Sequence, residues 1–228
     1  MPDALRDLAA DLVRIAEARH HDPHAILGTR LRGTELGHLA YLPSTANARL
    51  GTGETLERIP GTDFFYVPLA APPAQPPAII WEDAQGRIRE RVTPYDFAPS
   101  LSTSDLALFA SGRHLTAWRM MGAHPAMFDG IPGVRFAVWA PNAERVSVVG
   151  PFCDWDGRRL PMRVLGDSGV WELFVPGLAL GELYKFEIRS RVDGNVLLKT
   201  DPYARATEMR PATAAVVGVT TFVPGLPA

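Results

Sequence analysis

Ten short runs, each cut off by Gly, Pro, Asn or Asp, constrain this chain more than any other feature. They fall at 39–42, 55–59, 63–67, 78–82 and 87–92, and again at 134–139, 145–149, 170–175, 184–189 and 196–199. Runs of this length with period-two alternation read as strands. At 184–189, for example, Tyr184, Phe186 and Ile188 share one face and Lys185, Glu187 and Arg189 the other, so one side faces a core and one is open. The connections are short and carry no helical period. An antiparallel sandwich is therefore favoured over a parallel sheet with crossover helices.

The 20 glycines and 21 prolines supply the turns such a fold needs, above the usual combined share of about 12%. With 228 residues, 46% apolar and 21% charged, the chain has enough apolar side chains for one large or two small cores. The run as a whole predicts five segments: an N-terminal helix over 1–22, a first β-sandwich over 23–95, a helical connector over 96–131, a second β-sandwich over 132–217 and a tail over 218–228. In the first, Leu5, Leu8, Leu12 and Ile15 repeat at spacings of three and four with Asp3 as an N-cap, and Pro23 stops the helix by His21. In the connector, 104–109 and 115–121 carry helix formers, with Gly112 and Gly122 as C-caps. An internal echo joins the halves, because GRIRERVTPY at 86–95 and GNVLLKTDPY at 194–203 repeat Gly, Ile or Val, Arg or Lys, Pro and Tyr in one register.

Charge and cysteine content exclude several functions. A net charge of −2 offers no basic excess for steering phosphates, so no nucleic-acid partner is expected. The single Cys153 forms no intramolecular bridge, which fits a reducing compartment. The first turn is acidic rather than basic and no apolar stretch approaches ~18 residues, so no signal peptide or membrane partner is expected, and the location read is cytoplasmic.

At Val134 the residues become specific. The run VRFAVWAPNAERVSVVGPFCDW at 134–155, followed by Asp156-Gly157, GVWELFVP at 169–176, LYKFEI at 183–188 and KTDPY at 199–203, resembles the N-terminal region of bacterial 1,4-α-glucan (glycogen) branching enzymes of the α-amylase superfamily. HHDPHAILG at 20–28 is similar to the start of that family's extra N-terminal module, so the resemblance covers about residues 20–217. It implies a mainly β fold: two tandem immunoglobulin-like β-sandwiches with short connecting helices, the second a glycogen-binding-module-like domain. The first sandwich sets it apart from a debranching or trehalose-releasing relative. In the family a catalytic barrel follows and holds the reacting Asp, Glu and Asp; the tail at 218–228 does not resemble that continuation, and a truncated gene, a frameshift or a deliberately shortened chain is expected.

The candidate chemistry is sparse. Retaining glycosyl transfer needs two carboxyl groups about 5 to 5.5 Å apart in a cleft. Asp154 and Asp156 flank Trp155 in a turn and read as turn formers, while Glu172 and Glu187 read as solvated cross-strand partners, so no catalytic residue is expected. Pro23 between His20 and His24 destroys helical ligand geometry, so the pair reads as a surface turn and neither metal nor cofactor is expected. Cys153 reads as a semi-buried loop thiol, Gly51-Thr52-Gly53 as a hairpin, and Arg87, Arg89 and Arg91 as one solvated face.

A pyranose ring stacks its C–H face on an exposed indole while nearby donors meet its hydroxyls, and Trp155 in its turn fits that role. The resemblance implies that Trp155 stacks on glucose and that Lys185 contacts the sugar. Trp139 and Trp171 lie inside strands and read as packing. Relative to the family's G-D-F-N-x-W pattern, Pro151 and Cys153 replace an Asp and an Asn, and aliphatic Val196, Leu197 and Leu198 stand where the best binders carry a second tryptophan. The expected partners are a weakly bound α-glucan and, in the full-length enzyme, the catalytic barrel. A stand-alone glycogen-binding or adaptor module is the alternative.

Overall fold

A computed structural model describes residues 2–218, and of the tail read at 218–228 all but its first residue lies outside the described residues. The chain is mainly β. An N-terminal 3-10 segment (Asp3–Leu8) leads into helix α1 (Ala9–Ala16), which buries Leu12 and Ile15. This helix is shorter than its apolar spacing suggested: Ala18 turns left-handed (φ 54°), five residues before Pro23. Pro2, not Asp3, occupies the N-cap, and Asp3 pairs instead with Arg6 at 2.7 Å.

Seven strands follow: β1 (Gly28–Arg32), β2 (Glu35–Tyr41), β3 (Ala48–Leu50), β4 (Thr55–Arg58), β5 (Phe64–Pro68), β6 (Ala78–Glu82) and β7 (Ile88–Val92). They form one antiparallel sheet in the order β1-β2-β5-β4-β3-β6-β7. It folds over a core of Ala40, Phe65 and Val67 from one half and Leu50, Ile79 and Trp81 from the other. β1 and β3 escaped the sequence reading, the first because its side chains are mostly half-buried, the second because three residues carry too little alternation. Gly51-Thr52-Gly53 does form the turn between β3 and β4, where the Gly53 amide bonds the Leu50 carbonyl at 3.0 Å.

The connector holds α2 (Thr103–Ala110), capped by the Ser102 hydroxyl accepting from the Asp105 amide at 3.0 Å. The helix expected at 115–121 is only a 3-10 turn (Ala117–Arg119). Strand β8 (Gly122–Phe128) begins directly after it. Its Pro125 hid it from a strand reading, and its position at a sheet edge is where proline is tolerated.

The second unit pairs two sheets. β9 (Ile131–Trp139), β11 (Arg163–Val164) and β12 (Val170–Pro176) join β8 in the order β11-β12-β9-β8. β10 (Ala143–Val149), β13 (Leu183–Ser190), β14 (Val196–Lys199), β15 (Ala206–Thr207) and β16 (Ala215–Val216) form the other sheet, with β13 between β10 on one side and β14 and β16 on the other. Phe136, Val148, Trp171, Leu173, Tyr184 and Phe186 fill the space between them. Each such apolar side chain contributes roughly 1.5–3 kcal/mol by leaving water.

That core does not stop at the second unit. Leu5, Leu12 and Ile15 of the N-terminal helix and Leu39, Tyr41, Phe64 and Tyr66 on the outer face of β2 and β5 belong to the same buried cluster. A polar network reinforces the junction. Asp96 accepts from the Thr29 amide at 2.7 Å and from Arg30 at 3.1 Å, Arg30 bonds the Tyr95 carbonyl at 2.6 Å, and Arg163 donates to the Phe97 carbonyl at 2.9 Å.

Here the structure corrects several sequence readings. Glu172 is not solvated: it is fully buried, accepts from the Ser100 amide at 3.0 Å and from the Ser100 hydroxyl, and lies 3.7 Å from Arg163. β11 is too short to reveal in sequence that Arg163 faces it. His24 is not in a surface turn but buried edge-on against Tyr95, and neither of its ring nitrogens has a hydrogen-bond partner among the described residues. His20 is buried beside Asp11. Arg87 and Arg89 both clasp Asp83, while half-buried Arg91 donates to the Phe152 carbonyl of the second unit, so the three arginines do not form one solvated face.

Candidate functional site

The candidate site sits on the loop after β10. Its Pro151–Cys153 turn tucks Cys153 fully inside, where burial pushes the thiol pKa up and Sγ points at the Gly150 carbonyl at 3.4 Å. This is deeper than the semi-buried thiol expected, and it disfavours a thiolate. Asp154 and Trp155 are then both left-handed, at φ 55° and 57°. Such a conformation costs a non-glycine residue of order 1–3 kcal/mol, and a bulky aromatic rarely adopts it.

The strain has a geometric result. The Trp155 amide turns back to the Gly150 carbonyl at 3.0 Å while the residue stays 39% exposed. A large aromatic that could pack inward is instead presented to solvent.

The loop is anchored from below. Arg145, only 1% exposed, donates to the Gly157 carbonyl at 3.0 Å and to Glu187 at 2.6 Å, and the Ser147 hydroxyl reaches the same carbonyl at 2.6 Å. Gly157 admits no side chain, because a Cβ there would meet the Glu187 carboxylate at 1.9 Å. Glu187 is thus a structural partner of Arg145. Asp156 accepts from the Arg158 amide at 3.0 Å, the turn-forming role read from sequence. Burial alone would raise its pKa, yet bonds from the Arg158 side chain and amide hold it below the ordinary carboxylate range.

Lys185 lies opposite Val149 in the β10–β13 ladder, one residue before Gly150, so the backbone brings it to the same end of the sheet as the Trp155 loop. It is half-buried, and Nζ donates to the Thr213 hydroxyl at 2.6 Å. That leaves two of its three protons for another acceptor. Val196, Leu197 and Leu198 are each about half exposed on β14. Trp171 is buried and donates to the Ala140 carbonyl at 3.0 Å, as packing requires. Trp139 departs from that reading: it is 55% exposed and touches Phe109 of α2 edge-on. No group of three or more metal-ligating side chains occurs among the described residues.

A two-sheet module defines a class before it defines a protein, and residues 120–204, from just before β8 to past the end of β14, match the sequence profile of carbohydrate-binding module 48 (isoamylase N-terminal domain). Over nearly its whole length the chain also matches the N-terminal region of bacterial 1,4-alpha-glucan branching enzymes. It is 50% identical over 215 residues to GlgB of Methylococcus capsulatus, covering 93% of this chain and 29% of that enzyme. It is 46% identical over 228 residues to GlgB of Cellvibrio japonicus, with 95% and 31% covered, and 43% identical to GlgB 1 of Streptomyces coelicolor, with 95% and 28% covered. The chain therefore spans about three-tenths of the length of the curated relatives it matches. Among solved structures, a pullulanase from Bacillus acidopullulyticus aligns at TM-score 0.35 and 19% identity, over 81% of this chain and 21% of that one.

Proposed function

We propose that this chain is the non-catalytic N-terminal part of a cytoplasmic 1,4-α-glucan branching enzyme of glycogen biosynthesis. The whole enzyme would transfer an α-1,4-glucan segment to a 6-hydroxyl, with the chemistry carried by a barrel outside these residues. The two units, read as immunoglobulin-like sandwiches, would pack on that barrel and position glucan. The observation that carries this reading is the similarity to branching enzymes over nearly the whole chain, 50% identical across 93% of it. No helix among the described residues is long and apolar enough to cross a membrane.

Glucan contact is assigned to Trp155, with Lys185 as a hydroxyl partner. One stacked ring contributes about 0.5–1.5 kcal/mol, and two or three hydrogen bonds at about 1 kcal/mol each bring the total only to about the 4.1 kcal/mol of a millimolar Kd, before binding costs. The exposed, strained Trp155 also favours a second reading, a stand-alone module that holds glycogen without changing it.

Electrophoresis through gels containing glycogen tests the binding assignment. The parent chain is expected to be retarded and Trp155→Ala is expected to run as if glycogen were absent. Unaltered migration of the parent would remove both the binding role and the stand-alone alternative. Introduction of α-1,6 links into amylose by the purified chain alone would overturn the non-catalytic assignment.

A further inference from the structure

A groove of about 550 Å3 separates α1 from the turn between β4 and β5, and it opens beside the segment that follows Trp155. Its floor is apolar: Ala9, Val13 and Ala16 of the helix face Ile59 and Phe64 across it, and Val13 is 55% exposed. Its rim is polar. Arg58 pairs with Asp63 at 2.5 Å and also bonds the Thr62 carbonyl at 2.6 Å. Arg158 clasps Asp156 through Nε and Nη2 at 3.0 and 2.7 Å.

We propose that this groove is a second carbohydrate subsite, holding a stretch of linear α-1,4-glucan that continues from Trp155; it rests on the glucan-binding reading above. Three observations carry it. The volume lies within the roughly 300–1,000 Å3 of ligand clefts. Each guanidinium of the lining is already paired with a carboxylate, Arg58 with Asp63 and Arg158 with Asp156, so little net charge faces the groove, which suits a neutral ligand and disfavours a phosphate or an acidic peptide. Each carboxylate beside its guanidinium offers an acceptor next to a donor, the pairing that neighbouring sugar hydroxyls need, since each is donor and acceptor at once.

The third observation is continuity. Arg158 lies three residues after Trp155, so their backbones are at most roughly 11 Å apart. A bound chain leaving the indole meets the groove's rim within a few sugars. The first unit then contributes binding surface of its own through Val13 and Arg58, neither of which lies near Trp155 in sequence. Affinity should accordingly grow with oligosaccharide length.

The test is an NMR titration of the 15N-labelled chain with maltose and with maltoheptaose. Maltose is expected to shift the Trp155 indole and its loop only, and maltoheptaose to shift these together with the Val13, Thr62 and Asp63 amides. Arg58→Ala should weaken maltoheptaose binding about three- to ten-fold while leaving the maltose shifts at Trp155 unchanged, and those shifts also report that the variant is folded. Val13→Glu, which blocks the floor from the helix side, should do the same. Maltoheptaose shifts confined to the Trp155 loop, or parental affinity in both variants, would overturn the second subsite and leave the Trp155 assignment standing. No shift with either sugar would overturn both.

Discussion

Acid should destabilise this fold through His38 in a way that a single substitution isolates. His38 on β2 is completely buried. The Thr29 hydroxyl donates to Asp96 at 3.0 Å and so must accept from His38 Nδ1–H at 2.9 Å, which fixes the neutral tautomer and leaves Nε2 without a proton and without a partner among the described residues. Burial lowers the ring's pKa from 6.5 to about 4; Asp96 opposes the shift, and Arg32 and Arg30 add to it. As the pH falls below about 6.5, the unfolded chain takes up this proton before the folded one does. Stability that is complete above that range is therefore lost progressively down to about pH 4. Linkage puts the loss at about 2 kcal/mol by pH 5 and about 3 kcal/mol by pH 4. Urea unfolding of the parent and of His38→Leu across pH 7 to 4 measures it. Leu keeps the apolar volume and leaves the Thr29–Asp96 bonds intact, so the difference between the two proteins should shift by about 2 kcal/mol between pH 7 and 5 in favour of the variant. His24, whose pKa burial also holds well below 6.5, titrates in both and largely cancels. Parallel pH profiles would refute the account.

Two more outcomes follow from the interior. Glu172→Ala strands Arg163 in a buried site and removes the acceptor of the Ser100 amide, so unfolding free energy should fall by about 3–5 kcal/mol; a loss under about 1 kcal/mol in urea melts would show that the carboxylate is hydrated after all. Because one apolar cluster joins the N-terminal helix, the outer face of β2 and β5 and the second sandwich, calorimetry should record a single transition, and two well-separated ones would contradict the shared core.

The strands that were legible in the sequence are those whose alternation is long enough to see. The 184–189 run appears as β13 with Tyr184 and Phe186 inside, and Trp155 stands exposed in a turn as its Asp-Gly surroundings implied. The repeated pattern at 86–95 and 194–203 corresponds to two hairpin returns, with Gly86 and Gly194 left-handed at φ 74° and 69°. What stayed hidden has a common cause, because it depends on contacts between residues far apart in the chain. Glu172 alternates like any solvated strand residue until the connector's Ser100 covers it, and His24 looks like a turn residue until Tyr95 and Arg163 close over it. Nothing local to Arg58 announces that it shares a groove with Arg158, a hundred residues downstream.

Those long-range contacts also explain how the tryptophan can be held out. Two consecutive left-handed residues cost of order 1–3 kcal/mol each, and an isolated loop would relax by folding the indole inward. Against this stand charge-assisted bonds worth about 1.5–3 kcal/mol apiece: Arg145 to the Gly157 carbonyl, and Arg91 to the Phe152 carbonyl at 2.5 Å. The first bond comes from the second sandwich and the other from β7 of the first unit, so the loop is pinned on both flanks of Trp155. A loop backbone already fixed in place would lose little freedom in the proposed stacking of a sugar on Trp155, which matters most where the gross contact energy is only a few kcal/mol. The first unit therefore acts on the Trp155 loop through Arg91, and separating the two units would loosen that loop as well as divide the core.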